Sequence, residues 1–244
     1  MGTRIKESIY IFDLDWVILD IEDINYSSYK NAIGLSFPGK KFLSFNEYKS
    51  LLQWKRFDEI IKTFQQKYQL FLNDREINTI KEKVFIYKKK LLLKTPLFPK
   101  IKKWIIQFLN TLKRMKYKIW LATSTIRFFT EIILWKLDIK DMFDIILTSE
   151  NVKKGKPNPE IYLKAFHRLS ESKSDKYNWI VFEDSISGVF SALNAWLYCI
   201  HIGIPHNKMS NMWDCYYFWG NNFYPFISYL EGWNMWIFSM EKLV

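Results

Sequence analysis

Asp13 and Asp15 stand one residue apart at the end of the apolar run Ile9-Tyr10-Ile11-Phe12. A short apolar run of this kind reads as a buried strand, so Asp13-Leu14-Asp15 puts two carboxylates where a strand leaves the core. Like charges in such a place repel and lose water, a cost that a cation between them relieves. The cation expected is divalent, magnesium (Mg2+), which keeps part of its water shell and is held by one or two carboxylates together with the phosphate oxygens of a substrate. Taken alone, the pair is equally the composition of a turn after a strand.

Three further apolar runs lead into polar residues of the kinds that phosphate chemistry uses. Ile119-Trp120-Leu121-Ala122 runs into Thr123 and Ser124, and Trp179-Ile180-Val181-Phe182 runs into Glu183 and Asp184. Ile145-Ile146-Leu147 precedes a loop that carries Lys153, Lys154 and Lys156. In an open parallel sheet, ligands bind at the carboxyl ends of the strands near the topological switch point, so these four ends are expected to converge on one crevice. Each residue also has a plain structural reading. Thr123 reads as a strand-end hydroxyl and Lys156 as a solvated lysine like its neighbours, while Asp184 or Ser185 would cap the helix that follows.

The elements that must position these groups follow from periodicity. Helical spacing covers 101–115, 128–137, 159–169 and 187–194, with 138–143 a connector and 197–202 a further strand. Alternating strands and helices imply an α/β chain with a parallel sheet. Between Asp20 and Pro96 the pattern is helical throughout. Tyr26, Tyr29, Ala32 and Ile33 share a face, and the spacing resumes through Tyr48, Leu52, Ile60, Ile61 and Phe64, then from Ile77 to Leu93. The expected division is a core of residues 1–20 and 96–244 with an inserted all-helical cap at 21–95, a lid over the crevice that excludes water.

The 244 residues suffice for one sizeable core and a smaller subdomain. A net charge of +11 would ordinarily raise nucleic acid or an anionic membrane. The basic residues are spread along the chain, however, and only 6 of the 36 are Arg, so no nucleic acid and no membrane is expected as a partner. Cys199 and Cys215 are the only cysteines, which implies no disulfide framework and suits a reducing, cytoplasmic setting. No secretory apolar stretch opens the sequence, and no run reaches the ~18 apolar residues of a membrane helix. His167 and His201 read as ordinary core or surface imidazoles, and neither zinc spacing nor a Ser or Cys nucleophile with a matching His is evident. Twelve aromatics between 213 and 238 are expected to pack against the sheet edge. Oligomeric state is left as monomer or homodimer.

FDLDWVILD (12–20), LATS (121–124), KGKPNPEIYLKA (154–165) and VFEDSISGVFSALNA (181–195) resemble, in order, the four motifs of the haloacid dehalogenase-like hydrolase superfamily. The likeness is greatest to the branch with beta-phosphoglucomutase, pseudouridine-5'-phosphatase and the glycerol-phosphate phosphatases, whose fold is a Rossmann-like sheet with a helical cap. The resemblance implies a magnesium-dependent phosphatase acting on a small phosphorylated metabolite, a sugar, polyol or nucleoside phosphate. By it, Asp13 is the nucleophile that forms an aspartyl-phosphate, and Asp15 protonates the leaving group and then activates water. Asp13, Glu183, Asp184 and the backbone carbonyl of Asp15 match metal ligands; Thr123, the amide of Ser124, and Lys156 match the phosphate-binding set. Lys55 and Arg56 in the cap are candidates for substrate contact.

The resemblance also separates activities. Dehalogenases lack the second acid, so Asp15 argues for phosphoryl transfer. Asn25 and Phe57 stand where phosphosugar mutases carry His and Arg, which makes a mutase the weaker alternative. Trp16 and Trp196 replace glycines of the family pattern, and Ile21 replaces a Thr or Ser. A bulky residue resists the backbone shape that Gly permits, so a catalytically impaired binding protein is the remaining alternative, and Trp16→Gly is expected to raise turnover.

Overall fold

In the computed structural model, which describes residues 9–37, 39, 41–52, 55, 57–94, 100–167, 179–202 and 215–218, the chain begins with β1 (Ile9–Phe12) and β2 (Leu19–Asp20). It continues through α1 (Glu22–Ser36), α2 (Phe45–Leu52), α3 (Phe57–Tyr68) and α4 (Asp74–Lys94). From there strands and helices alternate. β3 (Lys100–Ile101), α5 (Lys103–Arg114), β4 (Lys118–Ala122), α6 (Arg127–Lys136) and β5 (Ile145–Leu147) come first. They are followed by α7 (Glu160–His167), β6 (Trp179–Glu183), α8 (Ile186–Asn194), β7 (Tyr198–Ile202) and β8 (Cys215–Phe218).

Six strands form one sheet in the order β5-β4-β1-β6-β7-β8, with every neighbouring pair parallel. β1 is buried along its length, as a run of apolar residues covered on both faces must be. It is also where the order reverses, with β4 on one side and β6 on the other. Phe12 pairs with Leu121 and with Phe182, so the residues after these three positions emerge side by side. Alternation along β1 divides the core. Ile9 and Ile11 pack with Trp120, Trp179 and Val181 against Ile161, Tyr162 and Ala165 of α7 and Val189 and Ala192 of α8. Tyr10 and Phe12 point the other way, where Phe12 stacks on Phe182 with centroids 4.6 Å apart and Phe108 of α5 meets both. Ile105, Phe108, Leu109 and Leu112 of α5 are fully buried, an i, i+3, i+4, i+7 spacing that puts all four on one helical face.

The chain divides into two units, residues 1–20 with 101–244, and residues 21–100. Within the second unit Ile33, Phe42, Tyr48, Leu52, Ile60, Ile61, Phe64 and Ile80 form the core. Two of its helices start with capping boxes. Ser44 and Glu47 exchange side chain-to-backbone hydrogen bonds of 2.8 and 3.3 Å, and Asn73 and Glu76 do so at 2.9 and 3.0 Å. Among the described residues no helix is long and apolar enough to cross a membrane. Cys199 is buried in the core. The expectation for the aromatic segment 213–238 falls outside the described residues except at β8, which extends the sheet beside β7.

Candidate active site

Lys156 collects the ends of three adjacent strands. Its ammonium is 3% exposed as a residue and donates to Asp13 Oδ1 after β1 (2.6 Å), to the carbonyl of Ala122 at the end of β4 (2.9 Å), and to Glu183 Oε1 at the end of β6 (2.5 Å). Three donors meet three acceptors, which is what a fully buried ammonium requires. Lys156 is therefore the structural opposite of the solvated lysines around it, Lys153 and Lys154, which are exposed. Its own loop is held open by Glu160, whose carboxylate accepts from the backbone amides of Lys153 and Lys154.

Glu183 is fully buried, and Tyr162 of α7 donates its hydroxyl to the same Oε1 at 2.6 Å. The carboxylate lies against α8 at Gly188, where a Cβ would collide with it. A glycine inside a helix costs about 1 kcal/mol relative to Ala, and here the missing side chain is the space that Glu183 occupies. In the sequence Tyr162 stands only as part of a matching motif, and its apolar neighbours give no sign of the hydrogen bond. Ser185 caps α8, accepting from the Gly188 amide at 3.1 Å, so Asp184 is released from the capping role its position would allow. The Asp184 carbonyl instead meets His201 Nε2 at 2.9 Å, which makes His201 a buried partner of the site's backbone.

Carboxylate oxygens of Asp13, Glu183 and Asp184 lie within 4.8 Å of one another. The cluster carries more negative charge than Lys156 balances. Burial, opposed by Lys156 and reinforced by Glu183 and Asp15, pushes Asp13 up to about 8. Asp184 is raised well above the carboxylate range by burial first and then by Asp13 and Glu183. For Lys156, burial alone would favour the neutral amine, and the two carboxylates reverse this to give a net upward shift. Hard oxygen donors with surplus negative charge fit a divalent cation such as magnesium.

Asp15 follows two residues on. Its Oδ2 accepts from the Thr125 hydroxyl at 2.9 Å, while its Oδ1 is buried with no hydrogen-bond partner among the described residues. Thr123 is 1% exposed; its amide donates to the Leu147 carbonyl, and its hydroxyl oxygen accepts from the Thr125 amide at 3.0 Å. Ser124, next in the chain, is exposed. Thr125 joins Thr123 and Ser124 at this strand end, and the only sign of it in the sequence is its hydroxyl two residues beyond Thr123.

The turn after Asp15 is built around Trp16, whose φ of 63° lies in the left-handed region that favours Gly. Three contacts hold it. Its amide donates to the Leu19 carbonyl at 2.7 Å, its carbonyl accepts from the Lys102 ammonium, and the Lys102 amide donates to the Ile18 carbonyl at 3.1 Å. Burial lowers the Lys102 ammonium, against the pull of Asp184 and Asp20. Trp196, the second residue at a family glycine position, also has positive φ, at 62°. Lys55 is an exposed residue between α2 and α3 of the second unit, and Arg56 lies outside the described residues.

The family model for haloacid dehalogenase-like hydrolases matches residues 10–202. A phosphorylated carbohydrates phosphatase of Thermotoga maritima is 29% identical over 199 residues, which cover 81% of this chain and 85% of that protein. The beta-phosphoglucomutase of Bacillus subtilis is 28% identical over 196 residues, covering 79% of this chain and 82% of the relative. Among solved structures, a beta-phosphoglucomutase from Clostridium difficile has a TM-score of 0.69 at 24% identity, covering 93% of this chain and 97% of the other, a likeness of fold.

Proposed function

Because the chain belongs to the haloacid dehalogenase-like hydrolase family, we propose that it is a magnesium-dependent phosphatase that hydrolyses a small phosphomonoester through an aspartyl-phosphate. The observation that carries this reading is the buried bridge of Lys156 between Asp13 and Glu183 at the ends of adjacent parallel strands. A carboxylate attacks a dianionic phosphoryl group only when charge around both is neutralised, and Lys156 is a cation fixed at the nucleophile with nowhere else to go. A sugar phosphate is the favoured substrate class, in line with the named activity of the Thermotoga maritima relative.

In this mechanism Asp13, anchored through Oδ1 by Lys156, attacks phosphorus, and the bond from phosphorus to the ester oxygen breaks as Asp15 gives that oxygen a proton. Asp15, now ionised, takes a proton from water as the water oxygen attacks phosphorus of the aspartyl-phosphate; Asp13 and inorganic phosphate are released. Thr123, whose hydroxyl oxygen already accepts from the Thr125 amide, has its hydrogen left to give to a phosphoryl oxygen, with the Ser124 amide beside it. Asp13, Asp184, the Asp15 carbonyl and Glu183 would hold magnesium, which supplies charge neutralisation on the phosphoryl oxygens. Hydrolysis is favoured over a mutase reaction because Asn25 and Phe57 occupy the mutase His and Arg positions.

The test is turnover of para-nitrophenyl phosphate and of a panel of sugar, polyol and nucleoside phosphates. Magnesium-dependent release of phosphate that EDTA abolishes, and that Asp13→Asn reduces by several orders of magnitude, is the expected result. Equal turnover in EDTA, or retained turnover in Asp13→Asn, would exclude the aspartyl-phosphate route.

A further inference from the structure

Thr125 donates its hydroxyl to Asp15 Oδ2 at 2.9 Å, across 110 residues of chain. The other oxygen of that carboxylate, Oδ1, is shielded from water and meets no donor among the described residues. An oxygen in that condition is unusual, since buried polar atoms are nearly always paired. From this geometry we infer that Thr125 is the positioning residue of the acid–base step: it occupies Oδ2 and so leaves Oδ1 as the oxygen that exchanges a proton with the leaving group and then with water. The inference rests on the proposed phosphatase reading and adds to it a residue and an assignment of the two carboxylate oxygens.

A further feature points to the same role. The Thr125 amide also donates to the Thr123 hydroxyl oxygen at 3.0 Å, so one short turn fixes both the phosphate-binding hydroxyl and the acid. Phosphate and leaving group would thereby be held in register by a single piece of backbone that is anchored to β5 through the Thr123 amide and the Leu147 carbonyl. An O–H donor can be given up without change of shape. Valine has the same branching as threonine but cannot donate.

The experiment compares Thr125→Val and Thr125→Ser with the parent on two kinds of ester. Para-nitrophenyl phosphate has a leaving group that departs without a proton, whereas an alkyl phosphate requires one. General acid catalysis contributes roughly 10²–10⁴-fold where it is needed. Thr125→Val is therefore expected to lower kcat/KM, which reports the steps up to departure of the leaving group, by at least about tenfold on the fastest alkyl phosphate of the panel and by less than about threefold on para-nitrophenyl phosphate. Thr125→Ser, which keeps the donor, should restore alkyl phosphate turnover. Equal losses on both esters would mark Thr125 as merely structural, and no loss on the alkyl ester would remove it from the reaction; either overturns the inference. A crystal structure of Thr125→Val gives a readout independent of turnover, since Asp15 should rotate or take two conformers, and an unmoved carboxylate would likewise overturn it. Failure of the phosphatase reading is distinct, because it appears as magnesium-independent turnover or activity surviving Asp13→Asn in the parent protein.

Discussion

At the scale of single residues, the site depends on atoms that are missing as much as on those present. Gly188 has no side chain where the Glu183 carboxylate sits, and Glu183 cannot retreat because Lys156 and Tyr162 both hold its Oε1. Gly188→Ala should therefore cost about 1–3 kcal/mol of stability, the usual range for overpacking, and should lower kcat far more than a matched Ala substitution on the exposed face of α8. Urea unfolding alongside kinetics would decide it, and an unchanged kcat would show that Glu183 is not fixed by this contact. Trp16 presents the opposite problem, a large residue in a left-handed backbone conformation that costs a non-glycine residue ~1–2 kcal/mol. Lys102 holds the Trp16 carbonyl and the next part of the turn. Relieving the strain by Trp16→Gly should raise kcat, as glycine takes this conformation unaided. A double-mutant cycle should then find Lys102→Met more damaging in the parent than in the Trp16→Gly background, with a coupling of about 1 kcal/mol. Additive effects would mean that Lys102 acts only through its charge near Asp184.

At the scale of elements, one device recurs. α3, α5, α6 and α8 are each followed by a residue with positive φ, namely Gln69, Lys116, Asp138 and Trp196, and none is glycine. In each case the next amide reaches back to the carbonyl five residues earlier, as in Tyr117 to Leu112 (3.0 Å), Ile139 to Leu134 (3.1 Å) and Leu197 to Ala192 (3.1 Å). This is the Schellman arrangement, with an apolar residue after the left-handed one. The chain holds only 8 glycines, and it closes these helices without them, at the expense of strain. Trp196 is 83% exposed, so little packing is lost on removing its indole. Trp196→Gly is expected to stabilise the protein by up to about 1 kcal/mol, the left-handed strain relieved less the extra entropy of glycine in the unfolded chain. A melting temperature that falls instead would show that the indole contributes more than its exposure suggests.

At the scale of the whole molecule, the sheet gathers carboxylates from β1 and β6 and sets one buried ammonium among them, and this links stability to pH. Asp13 is raised from 3.8 to about 8 by burial and by its acidic neighbours, the nearby ammonium notwithstanding, and Asp184 is raised in the same direction. A carboxyl that holds its proton more tightly when folded stabilises the protein below its unfolded pKa, and that contribution is lost as pH rises through the folded value. In EDTA, the unfolding midpoint should therefore fall as pH is raised from about 4 to about 8. Excess magnesium should flatten the fall, since a cation then stands where the protons were. A midpoint in EDTA that climbs over this interval would contradict the burial of uncompensated charge.

Strands β1, β4, β5, β6 and β7, and the polar residues that end the first four of these, were legible in the chain because each is a local pattern, an apolar run too short for a helix, followed in those four by Asp, Thr, Lys or Glu; β2, β3 and β8 carry no such pattern. The resemblance to the family's motifs marked Trp16 and Trp196 as departures from glycine. Their positive φ, and the lysine that steadies Trp16, required coordinates, since neither a dihedral angle nor a partner 86 residues away is written in composition. Tyr162, Thr125, Gly188 and His201 belong to the same class. Each reads from sequence as core, turn or helix filler, and each acquires its meaning from a partner brought near by strand register. Register also removed the plain readings of Lys156 as a solvated lysine and of Asp184 as a helix cap, because the sheet delivers the first to the buried ends of β1, β4 and β6, and Ser185 takes the capping role from the second. Sequence alone thus determined which chemical groups are available and on which elements they lie; tertiary structure determined which of their atoms meet, because hydrogen-bond partners are set by distances between strands and not by spacing along the chain.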